Sequence, residues 1–251
     1  MKPNKQLIEK RFEKNIVSYE HEAFIQKEIA FKLSRSIEPF LQNPRHILEI
    51  GCGTGFLTRH CMQNYPDAFF TLNDLCGNLQ PFLSKQLAQP FQFIKGDAEQ
   101  CTFPSDQDLI VSCSAFQWFQ RIDRFFEQCR SILKPRGILA FSTFGEKNFV
   151  EIKETTGHSL HYPTLNQLTE WLQEGFDIVK ATEEIRQTAF ANPMEVLRHI
   201  RKTGVNSLHS STWNHKRLET FIENYQQNHS LSTGEVSLTY HPIYIIARKK
   251  N

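Results

Sequence analysis

The sequence reads as a doubly wound, mostly parallel α/β sheet with an N-terminal helical arm and a helical lid inserted between the last two strands. From residue 46 onward short apolar runs alternate with amphipathic stretches, the rhythm of β–α–β units. The first run feeds a glycine-rich turn and then a helix, and residues 188–235 separate the last two strand-like runs. The 251 residues suffice for one domain with its own core. Its parts are an arm 1–45, a core 46–187, a lid 188–235 and a last strand 236–251.

Residues 4–41 are polar, with Phe24, Ile25, Ile29, Leu33 and Ile37 at helical spacing, and Pro39 and Pro44 end the run. Strands are expected at 46–50, 68–72, 91–95, 109–113 and 138–144. Helices are expected at 55–65, 78–87 and 121–133, with Lys134-Pro135-Arg136-Gly137 as the turn into the fifth strand. A helix over 164–173 leads to a strand over 176–187, and a last strand ends in 243–248. The lid holds two helices, one opened by Asn192 as N-cap with Pro193 at its first position, the other starting near Asn214. If the strand from Phe176 runs parallel to the others, the lid leaves from its carboxyl end. It then covers the face where ligands of such sheets bind.

Composition excludes several classes. Hydrophobic residues make up 39% and charged residues 22%, mean hydropathy is −0.45, and no apolar run approaches the ~18 residues of a membrane helix. No membrane role is expected. The net charge of +2, from 29 basic against 27 acidic residues, gives no ground for a nucleic-acid partner. Lys2, Lys5, Lys10 and Arg11 are followed by Glu13, Lys14 and Asn15 instead of an apolar stretch, which points to the cytoplasm. Cys52, Cys61, Cys76, Cys101, Cys113 and Cys129 never approach the spacing of a zinc or redox motif. They read as reduced, apolar thiols, and no metal is expected.

The stretch Ile47-Leu48-Glu49-Ile50-Gly51-Cys52-Gly53-Thr54-Gly55 is a strand running into three glycines and a helix, a turn that lets backbone N–H groups approach a ligand. The dinucleotide fingerprint G-x-G-x-x-G needs its third glycine at 56, which is Phe56, so a nicotinamide dehydrogenase is disfavoured. With Glu49 before it, the G-x-G-x-G turn resembles motif I of class I S-adenosylmethionine-dependent methyltransferases, whose fold is Rossmann-like. That resemblance makes Glu49, Gly51, Gly53 and Gly55 residues that hold S-adenosylmethionine. Asp74, followed by Leu75, stands about twenty residues further on, where a carboxylate accepts from both ribose hydroxyls; Asn73 is the alternative one register away. Gly96-Asp97-Ala98-Glu99 resembles the family's adenine clamp, with Asp97 and Ala98 on the base, although an Asp in a loop also serves simply as a turn former. The 112–118 stretch, with Ser114, resembles motif IV.

Further pieces are more diagnostic. Phe12, Tyr19, Ala23 and Gln26, the stretch Ser114-Ala115-Phe116-Gln117-Trp118, the turn Lys202-Thr203-Gly204-Val205-Asn206 and the ending from Leu238 to Arg248 together resemble the malonyl-acyl-carrier-protein O-methyltransferases of biotin synthesis. The helix after the second strand departs from that family, reading Cys76-Gly77-Asn78-Leu79 where Met is more usual. The resemblance implies methyl transfer to the free carboxylate of malonyl-acyl carrier protein. A carboxylate with a pKa near ~3.5 is already ionised at pH 7, so no catalytic base is required.

Gln117 and Trp118, directly after the fourth strand, are candidates to position that substrate, with plain core packing as the other reading for Trp118. So are Tyr240 and His241, because Pro242 bends the last strand just after them; for His241 a satisfied buried histidine is the other reading. Tyr19 and Gln26 are expected to close over the amino-acid end of the cofactor. Arg198, Arg201 and Lys202 form either a solvated face or a docking patch for an acidic carrier protein, extended by the N-terminal lysines, with Arg198 reaching the malonyl carboxylate in a variant of that idea. Alternatives remain: coenzyme A as the malonyl carrier, another small acid or natural product as acceptor, or a non-catalytic scaffold that binds the cofactor.

Overall fold

Ile47, Leu48 and Ile50 are buried in β1 (His46–Ile50), as is Glu49 between them, the burial of a strand covered on both faces. In this computed structural model, which describes residues 3–203 and 214–251, β2 (Phe69–Asp74), β3 (Phe91–Lys95), β4 (Gln107–Cys113) and β5 (Leu133–Phe144) run parallel to β1. With β6 (Phe176–Glu183) and β9 (Pro242–Lys249) they form a seven-stranded sheet in the order β3-β2-β1-β4-β5-β9-β6. β9 is antiparallel to both neighbours, so β6 points the same way as β1–β5 and its carboxyl end lies on the ligand face.

The arm is two helices. α1 (Lys5–Glu22) and α2 (Phe24–Ile37) break at Ala23. α2 buries Ile25, Ile29, Leu33 and Ile37 beside α3 (Phe56–Asn64) and is part of the core. α1 buries no residue fully and is tied down by polar contacts, Glu20 to Arg59 at 2.9 Å and Glu9 to Lys95 at 3.6 Å. α4 (Leu79–Gln86), α5 (Ile122–Ile132) and α7 (Leu165–Gln173) complete the crossovers, the last opened by a capping box between Thr164 and Gln167.

Three elements differ from the sequence reading. The Lys134–Pro135–Arg136–Gly137 turn lies within β5 as a bulge: Gln107 pairs with Leu133 and Leu109 with Ile138, leaving residues 134–137 opposite Asp108. The expected strand over 176–187 breaks at Glu184 and Ile185. Beyond the break, β7 (Arg186–Phe190) pairs with β8 (Val236–Tyr240) in a separate two-stranded ribbon, and His241 makes the matching break before β9. A short helix after the fifth strand, α6 (Val150–Thr156), is absent from the sequence reading. It carries the buried Glu151, which accepts from Thr239 N at 2.9 Å, Thr239 Oγ1 at 2.6 Å and Ser237 Oγ at 3.1 Å, fixing β8.

The lid contains α8 (Pro193–Lys202) and α9 (His215–His229). Asn192 caps the first by accepting from Glu195 N at 3.1 Å, and Asn214 caps the second by accepting from Arg217 N at 2.8 Å. Of the turn 202–206, residues 204–206 lie outside the described residues. Among the described residues, no helix is long and apolar enough to cross a membrane.

Candidate active site

Three left-handed glycines follow β1, with φ of +66° at Gly51, +52° at Gly53 and +85° at Gly55. A Cβ on Gly51 would stand 2.4 Å from that of Ala115, and one on Gly55 would stand 2.8 Å from Leu83 Cδ2. At Gly53 the nearest atom is Phe12 Cζ at 3.7 Å. Gly51 and Gly55 are therefore required by packing, whereas Gly53 opens onto a cavity at the carboxyl ends of the strands.

Asp74 projects into this cavity from the end of β2. Its Oδ2 accepts from Gly53 N and its Oδ1 from Cys76 N, both at 2.9 Å. Burial nevertheless pushes its pKa up to about 6. Asn73 instead donates to Ile94 O at 2.9 Å and Gly96 O at 3.1 Å, joining β2 to β3. Leu75 and Ala98 line the same cavity. Asp97 Oδ1 accepts from Lys5 Nζ at 2.5 Å and from Glu99 N at 3.1 Å. Glu99 also pairs with Lys5 and accepts from Arg121 N at 2.6 Å, capping the start of α5.

Glu49 is buried in a recess with Tyr19, Gln26, Gly51 and Gly53. Thr58 Oγ1 donates to it at 2.6 Å, but burial dominates and pushes the carboxyl up to about 8. Tyr19 stacks on Phe56 at 5.5 Å and meets Phe12 edge-on at 5.0 Å. Its own burial pushes the phenol pKa up, so the hydroxyl stays neutral.

Tyr19, Phe12, Ser114 and Trp118 border both the cavity beside Asp74 and a second, smaller chamber, which adds Gln26, Gln117, Phe144 and Thr203. Gln117 sits on a 3-10 turn, Phe116–Trp118, where its Nε2 donates to Ser114 O at 2.5 Å. The chain thus brings all the expected cofactor residues, with Gln117 and Trp118, to one edge of the sheet; of these only Gly55, the N-cap of α3, turns away from the cavities.

Three expected residues lie elsewhere. Tyr240 hydroxyl and His199 Nε2 are 2.5 Å apart in the buried lid base. His241 Nδ1 accepts from Lys147 N at 3.2 Å and its Nε2 faces Glu183 at 3.1 Å, so it closes the β8–β9 junction as a satisfied buried histidine. Neither Tyr240 nor His241 lines either chamber, because the bend at Pro242 turns them toward the ribbon. Arg198 is exposed and pairs with Glu195 at 2.5 Å, while Lys202 reaches Glu22 at 2.6 Å and Arg201 points to solvent. The sequence reading missed Ile8 and Phe12 as lining residues, with Lys5 as the cation on Asp97. Their spacing of three to four residues along α1 was the signal.

A family model described as a methyltransferase domain matches residues 48–141. The malonyl-acyl-carrier-protein O-methyltransferase of Bacteroides thetaiotaomicron is 41% identical over 98% of this chain and 99% of its own length. That of Haemophilus influenzae is 36% identical over 98% and 95%. The chain spans about half, 51%, of the Bacteroides fragilis relative, to which it is 41% identical. Among solved structures, the YcgJ protein of Bacillus subtilis superposes with a TM-score of 0.64 at 14% identity, covering 88% of this chain and 99% of that one. A Haemonchus contortus phosphoethanolamine N-methyltransferase in complex with S-adenosylhomocysteine gives 0.54 at 16% identity, covering 88% and 53%. The solved structures share the fold, and the near-full-length relatives decide the rest: the chain belongs to the malonyl-acyl-carrier-protein O-methyltransferase family.

Proposed function

We propose that this enzyme transfers the methyl group of S-adenosylmethionine to the free carboxylate of malonyl-acyl carrier protein, forming the methyl ester. The observation that carries this reading is the pair of chambers meeting at Tyr19, Ser114 and Trp118. One is equipped for an adenosyl group and the other is open to an acceptor. The donor's fit rests on the space above Gly53, on the Asp74 and Asp97 carboxylates, and on the recess around Glu49 and Gln26.

When bound, the sulfonium supplies a methyl group already activated for displacement. An ionised carboxylate acceptor has no proton to lose, so no side chain is needed here as a base. The protein's work is therefore positioning and exclusion of water. Asp74 and Asp97 would hold the adenosine, and the glycine turn would let it approach the backbone. Phe12, Tyr19 and Trp118 shield the junction, and the neutral Tyr19 hydroxyl is a donor available to the incoming carboxylate. Arg198 and Arg201, exposed on the helix that ends at the chamber residue Thr203, suit an acidic carrier. Six free cysteines support a reducing, cytoplasmic setting.

Mass spectrometry of malonyl-acyl carrier protein incubated with enzyme and S-adenosylmethionine is the test, and one added methyl group is expected. Methylation of malonyl-coenzyme A alone would move the reading to that acceptor, and no methylation of either would sink it.

A further inference from the structure

One face of α1 walls both chambers, yet no residue of that helix is fully buried. Ile8, Phe12 and Tyr19 border the cavity beside Asp74 and the second chamber alike. An element with so little buried apolar surface opens locally before the core does. At its carboxyl end α1 is rooted through the buried Ala23 in α2, which belongs to the core. The other end, about 27 Å along the helix, is pinned by charge. Lys5 Nζ donates to Asp97 Oδ1 at 2.5 Å and pairs with Glu99, and it lies 5.3 Å from the centroid of the Phe119 ring. Glu99 also accepts from Gln120 N at 2.9 Å and Arg121 N at 2.6 Å, so the anchor is fixed to the start of α5. The Lys5 side chain is only 17% exposed. By contrast, Glu9 meets Lys95 at 3.6 Å with the lysine 61% exposed, a contact that water screens.

We propose that Lys5 is a positioning residue for the transfer: by latching the first turn of α1 to Asp97 and Glu99, it keeps Ile8, Phe12 and Tyr19 in the wall of the acceptor chamber. Lys5 borders the donor cavity and does not line that chamber, so it acts on the acceptor through the helix. This rests on the methyl-transfer reading above and adds what completes the acceptor side. A donor in the cavity lies under the same helix face and against the same Asp97, so its binding favours the latched arm. The latched arm in turn favours the acceptor. Donor and acceptor are thereby coupled, and the coupling is reciprocal. Where the arm is latched only part of the time, the apparent affinity for the acceptor falls by that fraction, whereas saturating acceptor restores the rate.

Hydrogen exchange of α1, read by mass spectrometry with and without S-adenosylhomocysteine, tests the latch without measuring turnover. In the wild type the ligand should slow exchange over residues 5–12. Lys5→Met keeps the stem and removes the charge, so exchange there should quicken about fivefold at low salt while β1, β4 and β5 stay protected. With a small malonyl thioester, Lys5→Met should raise KM about fivefold and change kcat by less than about twofold. Lys5→Arg should recover most of both. Salt near ~1 M, where the screening length is ~3 Å, should bring the wild type toward Lys5→Met and move the variant little. Unchanged exchange over residues 5–12 in Lys5→Met would overturn the proposal, as would a fall in kcat at constant KM. If Lys5→Met loses protection throughout the sheet, the wild-type salt series decides, and an arm equally protected at ~1 M salt overturns the latch. A wild-type protein that binds no S-adenosylhomocysteine in calorimetry would instead sink the methyl-transfer reading.

Discussion

The Gly53 N–H donates to Asp74 Oδ2 at 2.9 Å, joining the glycine turn after β1 to the carboxylate at the end of β2. One side chain thus shapes the cradle and offers acceptors to what lies in it. Asp74→Ala is expected to weaken S-adenosylmethionine binding by about 1–3 kcal/mol, the range for loss of a charge-assisted acceptor. Titration calorimetry reads this directly, and unchanged affinity would move the ribose contact to another residue.

Two buried carboxyls make both stability and binding depend on pH. Burial is the leading cause for each, raising Asp74 from 3.8 to about 6 and Glu49 from 4.5 to about 8. A raised folded value means that the stabilisation is full below the ordinary value and is lost as pH rises through the folded one. The ligand-free protein should therefore lose melting temperature across about pH 4 to 8, and Glu49→Gln should flatten the upper part of that slope. A cationic ligand favours the ionised form, so cofactor binding at neutral pH should release a proton from Glu49. Calorimetric heats should then vary with the ionisation enthalpy of the buffer in the wild type and not in Glu49→Gln; equal heats in all buffers would remove Glu49 from the binding step.

Neighbouring glycines should respond differently to alanine. Gly51→Ala meets Ala115 at 2.4 Å as well as a left-handed backbone, whereas Gly53→Ala meets only the backbone penalty of about 1–2 kcal/mol. Thermal unfolding should show the larger loss at Gly51. Cofactor affinity should collapse for Gly53→Val, whose side chain projects into the open space. A Gly53→Val protein with normal affinity would displace the cradle from this turn.

Charge reversal on α8 should divide by position. Arg201→Glu, at an exposed site, is expected to lower kcat/KM for malonyl-acyl carrier protein at low salt and to spare a small malonyl thioester, because long-range fields act on encounter. At about 0.15 M salt the screening length is ~8 Å and the difference should shrink. Lys202→Glu faces Glu22 across the lid contact, so it should slow both substrates. Equal rates for Arg201→Glu and wild type on the carrier substrate would return this face to plain solvation.

The parallel core was legible because its signals are local. Apolar runs bounded by turns and the three glycines each report on their own neighbourhood. What escaped depends on partners far along the chain. The break at Glu184 and Ile185 exists because β8 and β9 part at His241, and the sequence around Glu184 carries no glycine or proline to announce it. The bulge at 134–137 read as a turn since Lys134-Pro135-Arg136-Gly137 has turn chemistry, and only pairing with Gln107 and Leu109 places it inside a strand. Asp74 and Asn73 both border the cavity and were separable only by their partners: Asp74 accepts from Gly53 N, whereas the Asn73 amide is spent on Ile94 O and Gly96 O. Tyr240 and His241 were misplaced for the opposite reason: Pro242 correctly marked a bend, but its direction follows from Glu183, Lys147 and His199, none of them near in sequence.

Phe190 and Val236 face each other as the last pair of the β7–β8 ribbon. The lid therefore leaves and rejoins the scaffold through adjacent residues, roughly 5 Å apart as cross-strand partners are. It behaves as a cassette plugged into a single socket. On the proposed reading, mutations, insertions or a graft between those two positions would change the acceptor side and leave the glycine turn, Asp74 and Asp97 in place. For an engineer this is where to splice, and for a lineage it is where new acceptors can be tried at little risk to the chemistry.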